Sequence, residues 1–421
     1  MKQSQLFTKI KKEIPSGEVA KNAQLLLQAG FIHKEMAGVY SFLPLGLRVI
    51  EKIKHVIRKE LNNAGCQEMS MTSLQSKDIW KKTGRWSDDV VDNCFKTSLK
   101  NGTELGLAFS HEEPVAQIMA NYVHSYKDLP FSAYQFQTKF RNELRAKSGI
   151  MRGREFLMKD LYSFHVDKKA HDEFYEKMKG VYMEIFRKLG LGGNTYLTMS
   201  SGVPFSKYSF EFQTISEAGE DVILFDKEKK VAINKDDFSD EIFVDFGLNK
   251  DDYVFEEAKS IEIGDIYSLG TKYSEAIDLT YADAEGKSHP VFMGSYGIGV
   301  PRVMGTVVEV YNDEDGIIWP EEVAPFAVHL ISLCKGDAEK GVVEKVYKQL
   351  ISHNIDVLYD DRSNVSAGQK FAESDKIGIP HRVIMSPKTI ANNTFEYKKR
   401  SEKDAKYMSF DALLRIISKT Y

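Results

Sequence analysis

The sequence has few cysteines and no long apolar run. Its 421 residues include three cysteines, Cys66, Cys94 and Cys334, whose wide spacing provides neither a CxxC metal pair nor a disulfide framework. No apolar run approaches the roughly 18 residues that a membrane-spanning helix needs. The first residues, MKQSQLFTKIKKEIPSG, lack the apolar core and cleavage site of a secretory signal. We therefore expect a protein of the reducing cytoplasm.

Strong net charge is also missing. The formal net charge is -4, and 42% of the residues are hydrophobic. This balance is typical of a globular protein and argues against a generic polyanion binder, although a local basic surface could still hold RNA. The chain is too long for one compact core and suggests about two or three domains.

The first three quarters of the chain predict an antiparallel α+β sheet domain. Apolar residues at helical spacing predict amphipathic helices over 47–64 and 169–189, with Gly65 and Gly190 placed to end them. Strands are predicted in AYQFQTKFR, EFLMKDLYSF, DVILFD and HPVFMGSYG. Grouped strands with occasional helices favour this class over strict β-α-β alternation.

The remainder predicts a second domain. Residues 227–262 are dense in charge and are interpreted as a short, largely surface excursion from the sheet. After GIIWPEEVAP, strands alternate with helices, which we expect over 337–352, near Phe371 and over 410–419. We therefore predict a first domain over 1–322 and a C-terminal α/β domain over 323–421.

Fixed charges interrupt the stretch FRNELRAKSGIMRGREFLMKD. Residues two apart on a strand share a face, so Arg141 and Glu143 point the same way. The next strand places charged, aromatic and apolar residues together on one face, namely Arg152, Arg154, Phe156, Met158, Asp160 and Tyr162. The solvated side of an edge strand is one interpretation. Alternation of the charges with large apolar residues over two strands favours the floor of a polar cleft, where guanidinium groups suit phosphate oxygens.

The glycine-rich segment MGSYGIGVPRVMGTVVE fits neither the dinucleotide pattern GxGxxG nor a P-loop. It predicts a strand whose glycines leave room against the backbone, followed by a helix with Arg302 in its first turn. A cation there opposes the helix dipole by roughly 0.3 to 1 kcal/mol. A bound anion would compensate, and an arginine reaching into solvent is the alternative.

The segment AFSHEEPV places Ser110, His111 and Glu112 in succession. A strand would send His111 to the face opposite the other two, so they cannot form a hydrolase relay. Ser110 and Glu112 could instead bind a small cationic nitrogen. A solvated loop is the alternative.

In this order, FRNE, Arg152-x-x-x-Phe156-x-x-x-Asp160 and GSYGIGVPR resemble motifs two and three of class II aminoacyl-tRNA synthetases. The segments GVYSFLPLGLRV, SHEE, REFLMKDLYSFH, AGEDVI, LGTKYS and WPEEVAPF extend the likeness to bacterial-type prolyl-tRNA synthetases over essentially the whole chain. The resemblance implies ATP-dependent attachment of L-proline to tRNA(Pro) through a prolyl-adenylate, with Mg²⁺. It also implies a homodimer formed through motif one and a C-terminal anticodon-binding domain.

The resemblance also implies roles for individual residues. Arg141 would bind the α-phosphate and Arg302 would lie near the γ-phosphate, and these two would be the catalytic groups. The implied ATP site adds Glu143 at the adenine amino group, Phe156 stacked on the base, Arg152 and Glu262. The implied proline site comprises Ser110, Glu112, Met158, Asp160, Tyr162, Asp265 and Ser295. Basic residues expected to contact tRNA are Arg362, Lys370, Lys398, Lys399 and Arg400, although a solvated charged surface explains each of them as well.

Several positions depart from the family pattern. Thr72 stands where motif one usually has proline, Ser110 replaces threonine, and Phe210 and Asp265 stand where histidine is common. The short 227–262 segment leaves no room for the editing domain of many bacterial relatives, so we expect no editing of alanyl-tRNA in cis.

Two alternatives remain. One is a sibling synthetase for threonine, serine or glycine, of which the threonine enzyme is disfavoured because no Cys/His zinc constellation is present. The other is a non-catalytic paralogue, and such proteins generally lose the motif arginines that this chain keeps.

Overall fold

The computed structural model describes residues 1–13, 17–203 and 206–417. Its strands are, in chain order, β1 (Ile32–Met36), β2 (Val39–Phe42), β3 (Gln67–Glu68), β4 (Leu74–Ser76), β5 (Lys96–Ser98), β6 (Glu104–Leu107), β7 (Phe131–Phe140), β8 (Glu155–His165), β9 (Thr195–Ser201), β10 (Tyr208–Ile215), β11 (Asp221–Asp226), β12 (Val231–Asn234), β13 (Glu256–Gly270), β14 (Thr280–Ala282), β15 (Ser288–Pro290), β16 (Phe292–Gly299), β17 (Val328–Ser332), β18 (Val357–Asp360), β19 (His381–Met385), β20 (Phe395–Lys399) and β21 (Lys406–Met408). Its α-helices are α1 (Lys21–Gln28), α2 (Pro44–Asn63), α3 (Lys77–Lys82), α4 (Glu112–Met119), α5 (Lys168–Lys188), α6 (Asp240–Asp245), α7 (Lys272–Ile277), α8 (Val300–Val310), α9 (Asp337–Ser352), α10 (Ala367–Ile377), α11 (Pro387–Ala391) and α12 (Phe410–Ile417).

A nine-stranded sheet dominates the middle of the chain. Its strand order is β10-β9-β12-β11-β13-β16-β8-β7-β3. Neighbours pair antiparallel except β9 with β12 and β3 with β7, which are parallel. The predicted antiparallel α+β domain is confirmed.

The two predicted amphipathic helices are also confirmed, as α2 and α5. Gly65 and Gly190 follow them with φ of 89° and 85°, the left-handed conformation that glycine adopts without strain. The last predicted helix corresponds to α12, and its expected end at 418–419 lies outside the described residues.

Helix α5 covers one face of the large sheet. Met178, Tyr182 and Ile185 are fully buried on its inner side, and the Tyr182 ring lies 5.2 Å from that of Phe212 in β10. On β8 the alternation of a strand turns Lys159 toward this helix, with its Nζ contacting the hydroxyl of Tyr182. The opposite face of the sheet therefore carries the residues that the sequence assigned to a cleft.

The 227–262 segment is more than a surface excursion. It supplies β12, which pairs with both β9 and β11, and the first residues of β13. It also contains a small core in which Ile233, Ile242 and Phe243 are buried against Met199. The sequence analysis did not identify this core because its apolar residues are separated by runs of Asp, Glu and Lys.

The chain folds into two compact units. One comprises 1–35, 40–53 and 307–421, and the other comprises 36–39 and 54–306. The first contains a five-stranded sheet of order β18-β17-β19-β20-β21, with β17 parallel to β18 and β19. The domain boundary at 322/323 remains a prediction. Among the described residues no helix is long and apolar enough to cross a membrane.

Gly106 provides a test of packing in the larger unit. A Cβ at this position in β6 would lie 2.1 Å from the buried ring of Trp80. We expect Gly106→Ala to lower the free energy of unfolding by about 1 to 3 kcal/mol through overpacking. Gly180→Ala is the control, because Gly180 lies within α5 with open space at its Cβ position, and should raise the free energy of unfolding by up to about 1 kcal/mol. Chemical denaturation measures both, and equal changes would contradict the packing argument.

Candidate active site

A cavity of about 320 Å³ opens on the free face of the large sheet. Strands β8, β13 and β16, the segment 141–153 and the start of α8 form its walls. The lining residues are Arg141, Glu143, Ile150, Met151, Arg152, Gly153, Phe156, Met158, Glu262, Ile263, Gly264, Asp265, Tyr267, Gly297, Gly299, Pro301 and Arg302. All six residues predicted to bind ATP are thus together, with Met158 and Asp265 of the predicted proline set.

Arg141 lies beside Phe156 in this cavity. Its guanidinium carbon is 5.3 Å from the centre of the Phe156 ring, a favourable cation–π arrangement. Within 1–13, 17–203 and 206–417, no carboxylate forms an ion pair with Arg141. It interacts with Asp265 only at longer range, and a guanidinium that makes no direct ion pair in a concave site is suited to an anionic ligand.

Arg302 reaches the cavity from the first turn of α8. Its Nε donates to the carbonyl of Met151 at 2.9 Å, and its Nη1 donates to Glu262 Oε2 at 3.0 Å and to the Glu262 carbonyl at 3.1 Å. The alternative of an arginine extended into solvent is therefore incorrect. These contacts fix the guanidinium at the wall while its side chain remains 30% exposed.

Glycine is needed at position 297 of β16 for a steric reason. A Cβ at Gly297 would lie 2.3 Å from Asp265 Oδ1 and 2.6 Å from the Met158 methyl carbon. The room that the sequence predicted along this strand is therefore occupied by the Asp265 and Met158 side chains. Glycine at 297 lets both lie at the cavity floor.

Arg152 bridges two carboxylates. Its Nη2 donates to Glu143 at 3.0 Å and its Nη1 to Glu220 at 3.2 Å. Ser148 also donates to Glu220, so Glu220 ties the 141–153 segment to the turn before β11. The sequence motif AGED contained Glu220 but gave it no role, because its partners lie about seventy residues away in the chain.

Buried carboxylates lie close together beside the cavity, where β10 pairs with β13. Burial, then repulsion from Glu262, raises the pKa of Asp265 to about 6. The same two causes raise the pKa of Glu211 to about 8. Glu211 pairs with Asp265 across β10 and β13 and was not among the predicted residues.

Phe210, a departure from the family pattern, does not line the cavity, and its ring centre instead lies 3.5 Å from Lys179 Nζ.

Ser110, Glu112 and Ser295 form a second group on the same sheet face. Ser110 donates to Glu112 Oε2, and Ser295 lies 3.5 Å from Glu112 Oε1. Arg85, which the sequence analysis missed, donates to Glu112 at 2.9 Å. Although burial opposes it, the charge of Arg85 lowers the pKa of Glu112 to about 2. The 110–112 segment is not the expected strand, since Glu112 begins α4.

Asp160 and Tyr162 are too buried to line the cavity, with 3% and 1% exposure. Asp160 Oδ2 accepts hydrogen bonds from Gln135 at 2.9 Å, Lys139 at 2.8 Å and Tyr162 at 3.2 Å. These two predicted proline residues thus lie on the sheet face that carries Ser295, but they are covered there.

The predicted tRNA-binding residues differ in their accessibility. Lys370 and Arg400 are only 3% and 7% exposed. Lys370 contacts the carbonyl of Ser332, and Arg400 forms a bidentate pair with Asp313 at 2.6 and 2.7 Å. The prediction of direct RNA contact is therefore corrected for these two, since they stabilise the fold internally.

The other three are nearer the surface. Arg362 is paired with Asp360 and Glu373, and Lys399 with Glu321 at 2.8 Å. Lys398 is half-buried in β20. These remain candidates for RNA contact.

Comparison with known proteins identifies the family of the two domains. Residues 95–311 match the family described as tRNA synthetase class II core domain (G, H, P, S and T), and residues 327–420 match an anticodon binding domain. A proline–tRNA ligase of Rickettsia bellii is 38% identical over 94% of both chains. That of Agrobacterium fabrum is 37% identical over 98% of this chain and 99% of its own. Prolyl-tRNA synthetase from Cryptosporidium parvum, complexed with halofuginone and AMPPNP, shares the fold at 16% identity with a TM-score of 0.79, over 95% of this chain and 77% of that one.

The raised pKa of Glu211 predicts a pH-dependent stability. In the native state the Glu211 carboxyl keeps its proton up to about pH 8, whereas an ordinary glutamate loses it near pH 4.5. Glu211 therefore lowers the free energy of unfolding increasingly as the pH rises between these two values. Glu211→Gln should therefore raise the thermal midpoint, relative to the unmodified protein, more at pH 8 than at pH 5. Calorimetry in EDTA measures this, with the 96%-exposed Glu217→Gln as control. A variant effect independent of pH would contradict the assignment.

Proposed function

The chain belongs to the proline–tRNA ligase family of class II synthetases, and on this premise we propose that its cavity activates L-proline with ATP and passes the prolyl group to tRNA(Pro). The observation that carries the proposal is the pair of guanidinium groups, Arg141 and Arg302, in one cavity with an aromatic ring between polar walls. A polyphosphate nucleotide provides both the anionic charge and the planar base that such a site accommodates.

We assign the nucleotide contacts as follows. Arg141 binds the α-phosphate, where attack by the proline carboxylate expels pyrophosphate, and Arg302 binds near the γ-phosphate. Phe156 stacks on the adenine, whose amino group donates to Glu143, while Arg152 shifts from Glu220 toward phosphate. Neither this step nor the transfer to the tRNA ribose hydroxyl requires a protein nucleophile, so catalysis depends on position and on stabilising the charge of phosphate oxygens.

Mg²⁺ fits the carboxylates of this cavity. Burial, then the charge of Glu262, raises the pKa of Asp265, and a bound cation would offset both effects. No group of three or more His, Cys, Asp or Glu residues forms a metal cage in the described part of the chain. Since Mg²⁺ is usually held by one or two carboxylates together with substrate phosphates, Glu262 and Asp265 are the residues that would hold it, and it would neutralise phosphate charge there.

The proline contacts are proposed around Glu112. Its Oε2 is held by Arg85 and Ser110, which leaves Oε1, near Ser295, to accept from the secondary ammonium group. Met158 and Asp265 would border the pyrrolidine ring of proline on the cavity side. The buried side chains of Asp160 and Tyr162 would support the pocket from within the protein.

The wider context is part of the same proposal. The C-terminal anticodon-binding domain would contact tRNA(Pro) through Arg362, Lys398 and Lys399, and two copies would pair through motif one around Thr72. All three cysteines are free and buried, which is consistent with the cytoplasm. The short 227–262 segment, with its single inserted strand, fits a protein without a cis-editing domain.

Pyrophosphate exchange tests the amino-acid specificity. With each of the twenty amino acids offered in turn, we expect ATP–pyrophosphate exchange to be driven by proline, because Glu112 and Ser295 suit a small secondary amine. Exchange driven by threonine, serine or glycine without any from proline would assign the chain to a sibling specificity, and no exchange at all would indicate a non-catalytic paralogue.

Arg141→Ala tests the catalytic assignment. By analogy with removal of one preorganised donor, kcat for exchange should fall roughly 10²- to 10³-fold. Arg187→Ala is the matched control, since Arg187 lies on the exposed side of α5, where it pairs with Glu184 away from the cavity. Equal rates for the two variants would remove Arg141 from the catalytic step.

A further inference from the structure

A lysine is buried beneath the proposed proline pocket. Lys139, near the end of β7, is 1% exposed, and its Nζ donates to Asp160 Oδ2 at 2.8 Å. The same Nζ contacts Nδ1 of His111. A buried ammonium is tolerated only where it is paired and hydrogen-bonded, so these two contacts fix the position of the side chain.

The hydrogen bonds of His111 define its tautomer. Its Nε2 lies 3.0 Å from the carbonyl oxygen of Thr72, which can only accept, so Nε2 carries the proton. Nδ1 is then the acceptor for Lys139. Burial, then the charge of Lys139, lowers the pKa of His111 to about 4, so the ring is neutral at physiological pH. The His111 backbone N–H also donates to the Tyr162 hydroxyl at 3.2 Å.

His111 joins the two residues that we assign to proline. Ser110 precedes it and Glu112, which follows, begins α4. Since strand alternation puts Lys139 and Asp160 on the face that carries Ser295, the lysine links the 110–112 segment to the sheet at this point. A shift of His111 would move Ser110 and Glu112 relative to Ser295.

We propose that Lys139 is a positioning residue for amino-acid recognition, which acts through His111 to set the distance between the Ser110–Glu112 segment and the sheet. The assignment rests on the proposed function, because it takes L-proline to be the ligand of that segment. The hydrogen bonds of Lys139 lead to Asp160 and His111 and not to Arg141 or Arg302, so we expect a larger effect on proline than on ATP. Because Lys139 lies opposite Phe156 in the strand pairing and its charge is repelled by Arg141, the KM for ATP has to be measured beside that for proline.

Lys159 provides a matched control. It is also a fully buried lysine of the same sheet, but it lies on the opposite face, where Nζ donates to the Tyr182 hydroxyl and to the Tyr296 carbonyl at 2.9 Å. Burial lowers the pKa of Lys159 to about 7, so its replacement removes a buried amine, and it leaves the hydrogen bonds of His111 in place. Loss of stability alone would therefore affect both lysine variants.

The experiment compares the full-length protein with Lys139→Met, His111→Ala and Lys159→Met in ATP–pyrophosphate exchange. For the first two variants we expect the KM for proline to rise about tenfold or more, with the KM for ATP changing less than about twofold, since misplacing a substrate-binding group by about 1 Å has effects of this size. Lys159→Met should lower the thermal midpoint and leave the ratio of the two KM values unchanged. His111→Ala keeps the Lys139–Asp160 pair, and it decides the result if Lys139→Met does not fold.

The outcomes separate the two proposals. Exchange in the unmodified protein, with an unchanged proline KM in a folded Lys139→Met or His111→Ala variant, overturns the role of Lys139 alone. So does an equal rise in both KM values. Absence of proline-dependent exchange in the unmodified protein overturns the proposed function and this inference with it.

Discussion

The alternation of side chains along β7, β8, β13 and β16 is the constraint on which the site depends. Because successive residues point to opposite faces, one set of residues packs under α5 and the other faces the cavity. Lys159 and Asp160 are adjacent in sequence, yet one contacts Tyr182 and the other supports the proposed proline pocket. A register slip of one residue would exchange these environments, so pairing of the sheet and assembly of the site are the same event.

Charge in the cavity is unbalanced from place to place. Arg141 makes no ion pair among the described residues and interacts with Asp265 only at longer range, while Asp265 and its strand neighbour Glu211 have raised pKa values because they are buried and carboxylates crowd together. Both conditions carry an electrostatic cost. A ligand that brings phosphate to Arg141 and a divalent cation to Asp265 would relieve both, which is consistent with the proposed binding of ATP together with Mg²⁺.

Sequence patterns were sufficient for the main elements and for the cavity floor. Helical spacing located α2 and α5, and period-two alternation placed Phe156 and Met158 on a common face. The patterns did not reveal Arg85, Glu220 or Lys139, since each depends on a partner distant in the chain. The same limitation misassigned Lys370 and Arg400, whose basic character suggested RNA until their internal partners, Ser332 and Asp313, were located.

Strand β12 and the small core behind it give the segment between β11 and β13 a degree of independence. Both ends of this segment are anchored by pairing with β11, while the residues between them bury most of their apolar side chains against one another, with Met199 of β9 as the neighbour from the sheet. Lengthening the chain there would leave the catalytic strands in register, so this is the natural graft point for an additional module, whether acquired by descent or introduced by protein engineering.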